Sequence, residues 1–447
     1  MTRLAPLLAA ALLAPGGPGS TAPAPRGIPA DTLLVSYVIH GLRVIQQTDT
    51  TTPLVSVRLY LLGGTQQLTP RTAGLEALVL RTSEMGTARF PGVEATRAMA
   101  RTGAFETSDI GKDWSEVGFD GFAVDFDSAW AVFADRLAHP TLGDSAIELV
   151  RARLVSAANA RYLDPETRLE VIAESVFFAG HPYALDPRGN PTSLAAITAA
   201  DVRQYARSQL VTSRMLLVVV GNLPRAHLAP LVTATLGQLP AGAYTWTPPP
   251  PLPEHEGRAH WVIEQLPLPT TYLLGYCAAP DPSSALYWSF RLENDVYSSI
   301  LFNAVRSQGL SYAAGAPYLD RVRPVAGFEM STSAPDKAFK IALDQLDLFE
   351  YLDIGESDDG GDQFWYWKHQ MASSYLADLV ETQSTTAGKA DLLARAQLLV
   401  GDYRHVSDLI PKMNGVDGTA MRNSANYCRT RIQYAYLGDT ARMHGAW

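Results

Sequence analysis

The chain has 447 residues, more than one hydrophobic core keeps absorbing, so two domains are expected. Acidic side chains outnumber basic ones 45 to 36, for a net charge of −9. No basic stripe with interleaved aromatics is present, which argues against nucleic acid as a partner.

In chain order, residues 1–24 carry a positive start at Arg3, an apolar run from Leu4 to Ala14, a Gly/Pro break and small residues at Ala22 and Ala24. This is the pattern of a secretory signal peptide. The run is too short for a bilayer, which takes about 20 apolar residues, and no later stretch is long enough either. The expected product is exported and periplasmic, with no transmembrane segment. Cys277 and Cys428 are the only cysteines, so no cysteine-ligated metal site can be built. An oxidising compartment permits a bridge between them, but their separation and apolar neighbours favour two separate buried thiols.

LLVSYVIHGLRVIQQ alternates apolar and polar residues about a His-Gly turn, and LVSVRLYLLGG follows. An antiparallel meander is predicted there. Helical spacing dominates 73–102, 128–137, 144–162 and 165–178, and AVDFDSAWAVFADRL reads as a strand passing into a helix. SLAAITAADVRQYARSQL reads as a helix with Ser/Thr starts, and MLLVVVGN as a buried strand. Residues 237–258 contain PPPP, which enters neither helix nor central strand and marks a semi-rigid linker. Beyond it, HWVIEQLPLPTTYLLGYCAAPD echoes LRVIQQTDTTTPLVSVRLYLLGG, and AMRNSANYCRTRIQYAYLGD echoes DVRQYARSQLVTSRMLLVVVGN. The expected organisation is a signal peptide (1–24), an α+β domain (25–236), the linker (237–258) and a homologous α+β domain (259–447).

The succession of TAGL, a helix closing at GT, GHPYA, G-N-P-T-SLAAIT-ADVRQYA, MLLVVVGN, a Pro-rich linker and SSILFNAVRSQGLSYAAGAPY resembles the pitrilysin/insulinase zinc-peptidase family, of the processing-peptidase type. The resemblance runs from about Leu33 to Met443. It implies two homologous domains, each an antiparallel-rich sheet with helices on one side, clamped around a chamber for extended peptides. In active members the first of these helices carries H-x-x-E-H. Imidazoles at i and i+4 lie about 40° apart around a helix and share one zinc, while the Glu between them activates the bound water.

Aligning TAGL and GT puts those positions at Ala77, Leu80 and Arg81. None can serve: alanine and leucine offer no lone pair, and arginine is a permanent cation. The family's third ligand, a Glu, is expected near Ala157 or Ala158, and no carboxylate occurs between Glu148 and Asp164. Leu75, Leu78, Val79 and Leu80 supply the buried face of this helix, interrupted by Glu76, Arg81 and Glu84.

Substitute sites are poor. His255 and His260 are five apart and diverge on either a helix or a strand. His40, His139 and His181 read as turn residues, and 353–362 as a solvated acidic loop without calcium-ligand order. In the second domain the resemblance implies a substrate-binding pair, Arg306 and Tyr312, reaching across the chamber to stabilise a developing oxyanion. Arg306 is the less secure in register, because the chain after it is one residue short.

The resulting expectation is a non-catalytic subunit that pairs with a catalytic H-x-x-E-H subunit of the same family and helps bind peptide substrate. Zinc is expected only in that partner. The alternatives are a standalone peptide-binding or scaffold protein and, third, a zinc peptidase with unorthodox ligands.

Overall fold

The computed structural model describes residues 33–255, 260–311, 313–351, 363–429 and 431–444. The first domain holds strands β1 (Leu34–Ile39), β2 (Leu42–Thr48), β3 (Leu54–Leu62), β4 (Phe105–Ile110), β5 (Trp114–Phe122) and β6 (Met215–Gly221). Its helices are α1 (Leu75–Ser83), α2 (Val93–Arg101), α3 (Phe126–Ala138), α4 (Asp144–Leu163), α5 (Pro165–Phe177), α6 (Pro191–Ala196), α7 (Ala199–Gln209) and α8 (Arg225–Ala234). The second domain holds β7 (Trp261–Gln265), β8 (Thr271–Ala278), β9 (Ala313–Gly315), β10 (Tyr318–Leu319), β11 (Val325–Thr332) and β12 (Gln433–Gly438). Its helices are α9 (Tyr287–Ser307), α10 (Pro335–Tyr351), α11 (Gln363–Gln383), α12 (Thr386–Val400), α13 (Leu409–Asn414) and α14 (Gly418–Arg429). The fold is α+β throughout.

The first sheet runs β1-β2-β6-β3-β5-β4. β1 and β2 form the expected hairpin, but the meander stops there: β6 lies between β2 and β3, parallel to the former and antiparallel to the latter. The physical reason lies in MLLVVVG. A strand apolar at every position suits the middle of a sheet covered on both faces. The second sheet, β10-β11-β8-β12-β7 with β9 beside β11, repeats the arrangement: β12 is parallel to β7 and antiparallel to β8. The two sequence echoes therefore occupy equivalent places.

Three local features differ from expectation. The 73–102 stretch is two helices broken by a turn around Pro91, SLAAITAADVRQYARSQL divides into α6 and α7 at Ile197-Thr198, and the strand before α3 ends at Phe122. The α6–α7 break follows from capping. The Thr198 side chain accepts from the Asp201 N–H and Asp201 reciprocates, which stabilises a new helix start.

Each domain covers one face of its own sheet. In the first, Val57, Leu59, Leu217 and Val219 pack against Leu78, Trp130, Phe133 and Val202. The opposite face is covered from across the molecule: Ile45, Tyr60, Val218 and Val220 pack on Ala390, Leu393 and Leu398 of α12. The second sheet receives α5 in return, through Leu169, Ala173 and Phe177 against Leu274, Tyr276 and Leu437. Side chains bridge the same seams, with Lys389 Nζ 2.6 Å from Asp49 Oδ2 and Arg168 Nε 3.0 Å from Glu264 Oε2.

Cys277 and Cys428, expected as separate thiols, are joined in a disulfide with Cα atoms 5.6 Å apart, tying β8 to α14. The two positions are brought together by packing in the second core, which sequence separation does not reveal. Among the described residues, no helix is long and apolar enough to cross a membrane.

Candidate functional site

α1 begins at Gly74, whose φ of 89° suits glycine, and a Cβ there would come within 2.8 Å of the Gly189 Cα. The TAGL and G-N-P motifs thus meet in space, with Asn190 capping α6 through the Ser193 N–H. The resulting helix buries Ala77 and Leu80 completely, both at 0% exposure. Arg81 is half-buried, its Nη1 3.2 Å from Glu84 Oε1, and Glu84 also receives Arg136 Nη2 at 3.0 Å.

On α4, Ala158 is buried and Ala157 exposed. The flanking carboxylates are engaged elsewhere: Glu148 lies 3.2 Å from Arg151 and Asp164 caps α5 through the Thr167 N–H. A zinc ion does not fit this donor set. Hydrocarbon fills two of the positions and a paired cation holds the third.

The same helix does carry a buried carboxylate. Glu76 is 2% exposed, although the sequence pattern sets it apart from the apolar face. Its Oε2 accepts from Tyr205 at 2.8 Å and from Arg214 Nη2 at 2.6 Å, and Ser115 donates to Oε1 at 2.5 Å. Arg214 also donates from Nε to the Leu62 carbonyl at 2.6 Å. With both carboxylate oxygens bonded, this network holds α1, α7 and the sheet together. The available signal was a charged residue inside one apolar run, Glu76 in LEALVL, and another at the head of a second, Arg214 in RMLLVVV.

A second polar cluster lies in a cleft of about 330 Å³ between the domains, lined by Asp109, Lys112, Glu170, Glu174, Arg321 and Arg395 among others. Lys112 Nζ stands 2.7 Å from Glu174 Oε2 and donates to the Tyr183 and Leu185 carbonyls at 2.6 and 2.8 Å. Arg321 Nη2 meets the other Glu174 oxygen at 2.7 Å. Burial alone would raise the Glu174 pKa, but the Lys112 and Arg321 charges hold it below the usual carboxylate range. Asp113 accepts from Tyr183 Oη at 2.6 Å and from the Val322 N–H at 3.0 Å; its burial pushes its pKa up.

The unpaired edge of β4 runs into this cleft through Asp109 and Ile110. Its outward N–H and C=O groups are the type of surface on which an extended peptide adds a strand.

Solved structures of the same architecture cover nearly the whole chain. A peptidase M16 inactive-domain protein from Pseudomonas fluorescens matches with TM-score 0.77 and 16% identity over 91% of this chain and 98% of its own. A protease from Helicobacter pylori matches with TM-score 0.81 and 14% identity over 91% and 99%. A chain of Complex III2 from Candida albicans, Inz-5 bound, gives 0.71 and 15% over 90% and 95%. None of the curated proteins matches. Residues 196–357 match the family model described as the peptidase M16 inactive domain.

The chain has the fold of these proteins, and its middle part is similar to the peptidase M16 inactive domain. Within that fold, the helix expected to carry a metal motif holds Ala77, Leu80 and Arg81 at the motif positions. Arg306 lies in the last turn of α9, exposed, its guanidinium 5.3 Å from the Phe302 ring centroid. It has no ion-pair partner among the described residues. Tyr312 lies outside the described residues. The residues that follow it, Ala313 and Ala314 of β9, line a cavity of about 330 Å³ together with Glu166 and Glu170 of α5.

The isolated histidines hold structure. His40, at φ 46°, bonds through Nδ1 to the Gly237 carbonyl at 2.8 Å, and His139 Nδ1 meets Asp135 Oδ1 at 2.9 Å. His181 Nδ1 accepts from the Tyr183 N–H at 3.1 Å, so its Nε2 carries the proton donated to the Pro250 carbonyl 3.0 Å away. The His255 and His260 rings come within 6.0 Å, closer than their spacing suggested, but His255 Nε2 is taken by the Phe177 carbonyl at 3.0 Å. Among the described residues no three His, Cys, Asp or Glu side chains are grouped to hold a metal. The acidic stretch 353–362 lies outside the described residues.

Proposed function

We propose that this chain is the non-catalytic subunit of a two-chain peptidase, exported to the periplasm, whose partner carries H-x-x-E-H and the zinc. The observation that carries the reading is the contrast within one frame. Of the three motif positions, Ala77 and Leu80 are hydrocarbon at 0% exposure and Arg81 is a cation paired with Glu84, while a two-domain body, an inter-domain cleft and the edge strand β4 surround them. A disulfide is compatible with an oxidising compartment. In this reading Arg306 and Tyr312 reach toward peptide held between the subunits and stabilise charge that develops on its carbonyl.

The test is co-expression with an H-x-x-E-H homologue from the same source, followed by gel filtration and steady-state kinetics. A stable complex is expected, with Tyr312→Phe lowering kcat/KM by roughly 10- to 1000-fold at unchanged assembly. Arg306→Ala is expected to cost as much. Normal assembly with wild-type rates in both variants would leave the second reading, a scaffold without catalysis. That reading is favoured by the likeness to a chain of Complex III2.

A further inference from the structure

Where α12 lies on the first sheet, one guanidinium faces three carboxylates. Arg58 of β3 is 4% exposed. Its Nη1 and Nη2 donate to the two oxygens of Asp120, both at 3.0 Å, which occupies the fork of the guanidinium. The Nε–H is left with two acceptors, Glu116 Oε1 of β5 at 3.5 Å and Asp391 Oδ1 of α12 at 3.4 Å. One comes from each domain, and a single N–H cannot fully serve both.

Carboxylates gathered at one site repel each other, and such a pair takes up a proton more readily than either group alone. Burial raises both the Glu116 and the Asp391 carboxyl above their ordinary values. Arg58 opposes this, while Asp391 and Asp109 add to the rise at Glu116 and Asp120 to that at Asp391. The remaining partners keep their state as these groups titrate. Thr107 donates to Glu116 at 2.8 Å and Tyr60 to Asp391 at 3.4 Å, and burial pushes the Tyr60 hydroxyl well above its ordinary value. The bond from Lys389, also on α12, holds Asp49 down at about 2, so that bridge of the same seam stays charged.

The surroundings add little else. β6 brings no titratable side chain, and Arg395, one turn along α12, is engaged by Asp320. α11 and the turn at 403–408 also pack on α12. They carry Asp378, Glu381, Arg404 and His405, and among the described residues no hydrogen bond or ion pair joins these to Glu116 or Asp391.

We propose that Glu116 and Asp391 form a pH-responsive latch, which holds α12 on the first sheet while they share a proton and loosens when both are ionised. Were α12 to lift, water would reach both carboxyls and return them to their ordinary values. Seating is therefore favoured in mild acid, and this contribution is lost as the pH rises through the raised values.

Hydrogen–deuterium exchange of the α12 amides in the full chain, corrected for its intrinsic pH dependence, reads the latch across pH 4 to 8. Wild-type protection of α12 is expected to fall about tenfold from the acid end to the alkaline end. Asp391→Asn and Glu116→Gln keep the shape and remove the titration, so in each the fall should shrink to less than about twofold. The proposal is overturned if wild-type protection is flat across the range, or if the full fall persists in either folded variant. An equal fall in α9 would assign the change to the buried Glu293 of that helix and overturn it as well. Each variant decides by itself, so misfolding of one leaves the other as the test.

Discussion

Arg214 Nη2 lies 2.6 Å from Glu76 Oε2, with side-chain exposures of 0% and 3%. The pair is anchored on one side by Tyr205 and Ser115 and on the other by the Leu62 carbonyl. Removing one member of a buried pair strands the other charge, which costs about 3–5 kcal/mol. Glu76→Ala is therefore expected to lower unfolding stability by that amount in urea titration. Replacing both partners by apolar residues, Glu76→Leu with Arg214→Met, should cost less than the single change. A single-variant loss under about 1 kcal/mol would contradict the assignment.

Glu293, on α9, is 3% exposed, and burial, helped by the nearby Asp295 charge, pushes its pKa from 4.5 to about 8. The folded chain thus holds its proton more tightly than the unfolded chain does. The sign follows: the contribution of this group is fully present below about pH 4.5 and is lost as pH rises toward 8. Glu293→Gln cannot ionise, so the wild-type-minus-variant difference should swing against the wild type by a few kcal/mol across that window. Melting curves of both proteins from pH 4 to 9 measure it. Parallel curves would show that the carboxyl ionises freely in the fold.

Restoring the family motif should not restore the site. Ala77→His and Leu80→Glu place larger polar groups at positions with 0% exposure, which overpacks the core and buries polar atoms without partners. Together with Arg81→His the change is expected to depress the melting temperature and to leave no stoichiometric zinc after dialysis, because α4 offers no third ligand. Elemental analysis and calorimetry report both quantities. About one retained zinc per chain with chelator-sensitive proteolysis would show that the frame still fits the metal.

The disulfide closes a sequence separation of 151 residues. In the chain-entropy account a loop of that length is worth up to about 5 kcal/mol. Cys277→Ala with Cys428→Ala should melt lower than the oxidised wild type and should no longer respond to reductant. Equal melting temperatures for the oxidised wild type and the double variant would mean that the bridge adds nothing to the packing around it.

Much of the frame was legible because it depends on order along the chain. TAGL, the helix, the buried strands and the polyproline break each announce themselves locally. The insertion of β6 between β2 and β3 did not, since strand order is set by which faces are covered, and the cover for one face comes from α12, some 170 residues later. Glu76 was misplaced for a similar reason: helical spacing marks the apolar stripe, but Tyr205 and Arg214, which make a buried carboxylate tolerable, belong to distant segments. The cleft cluster of Lys112, Glu174 and Arg321 carries no local motif at all.

The exchange of α5 and α12 bears on how anything could enter the cleft. Were the two halves to swing apart like jaws, the apolar row of Ile45, Tyr60 and Val220 and that of Leu274, Tyr276 and Leu437 would be stripped to water in the same motion. The Pro-rich connection is fastened as well, with Arg323 Nε on the Pro249 carbonyl at 2.9 Å and His181 on Pro250. Opening the cleft in that way would therefore expose both apolar rows and break the fastening of the connection together.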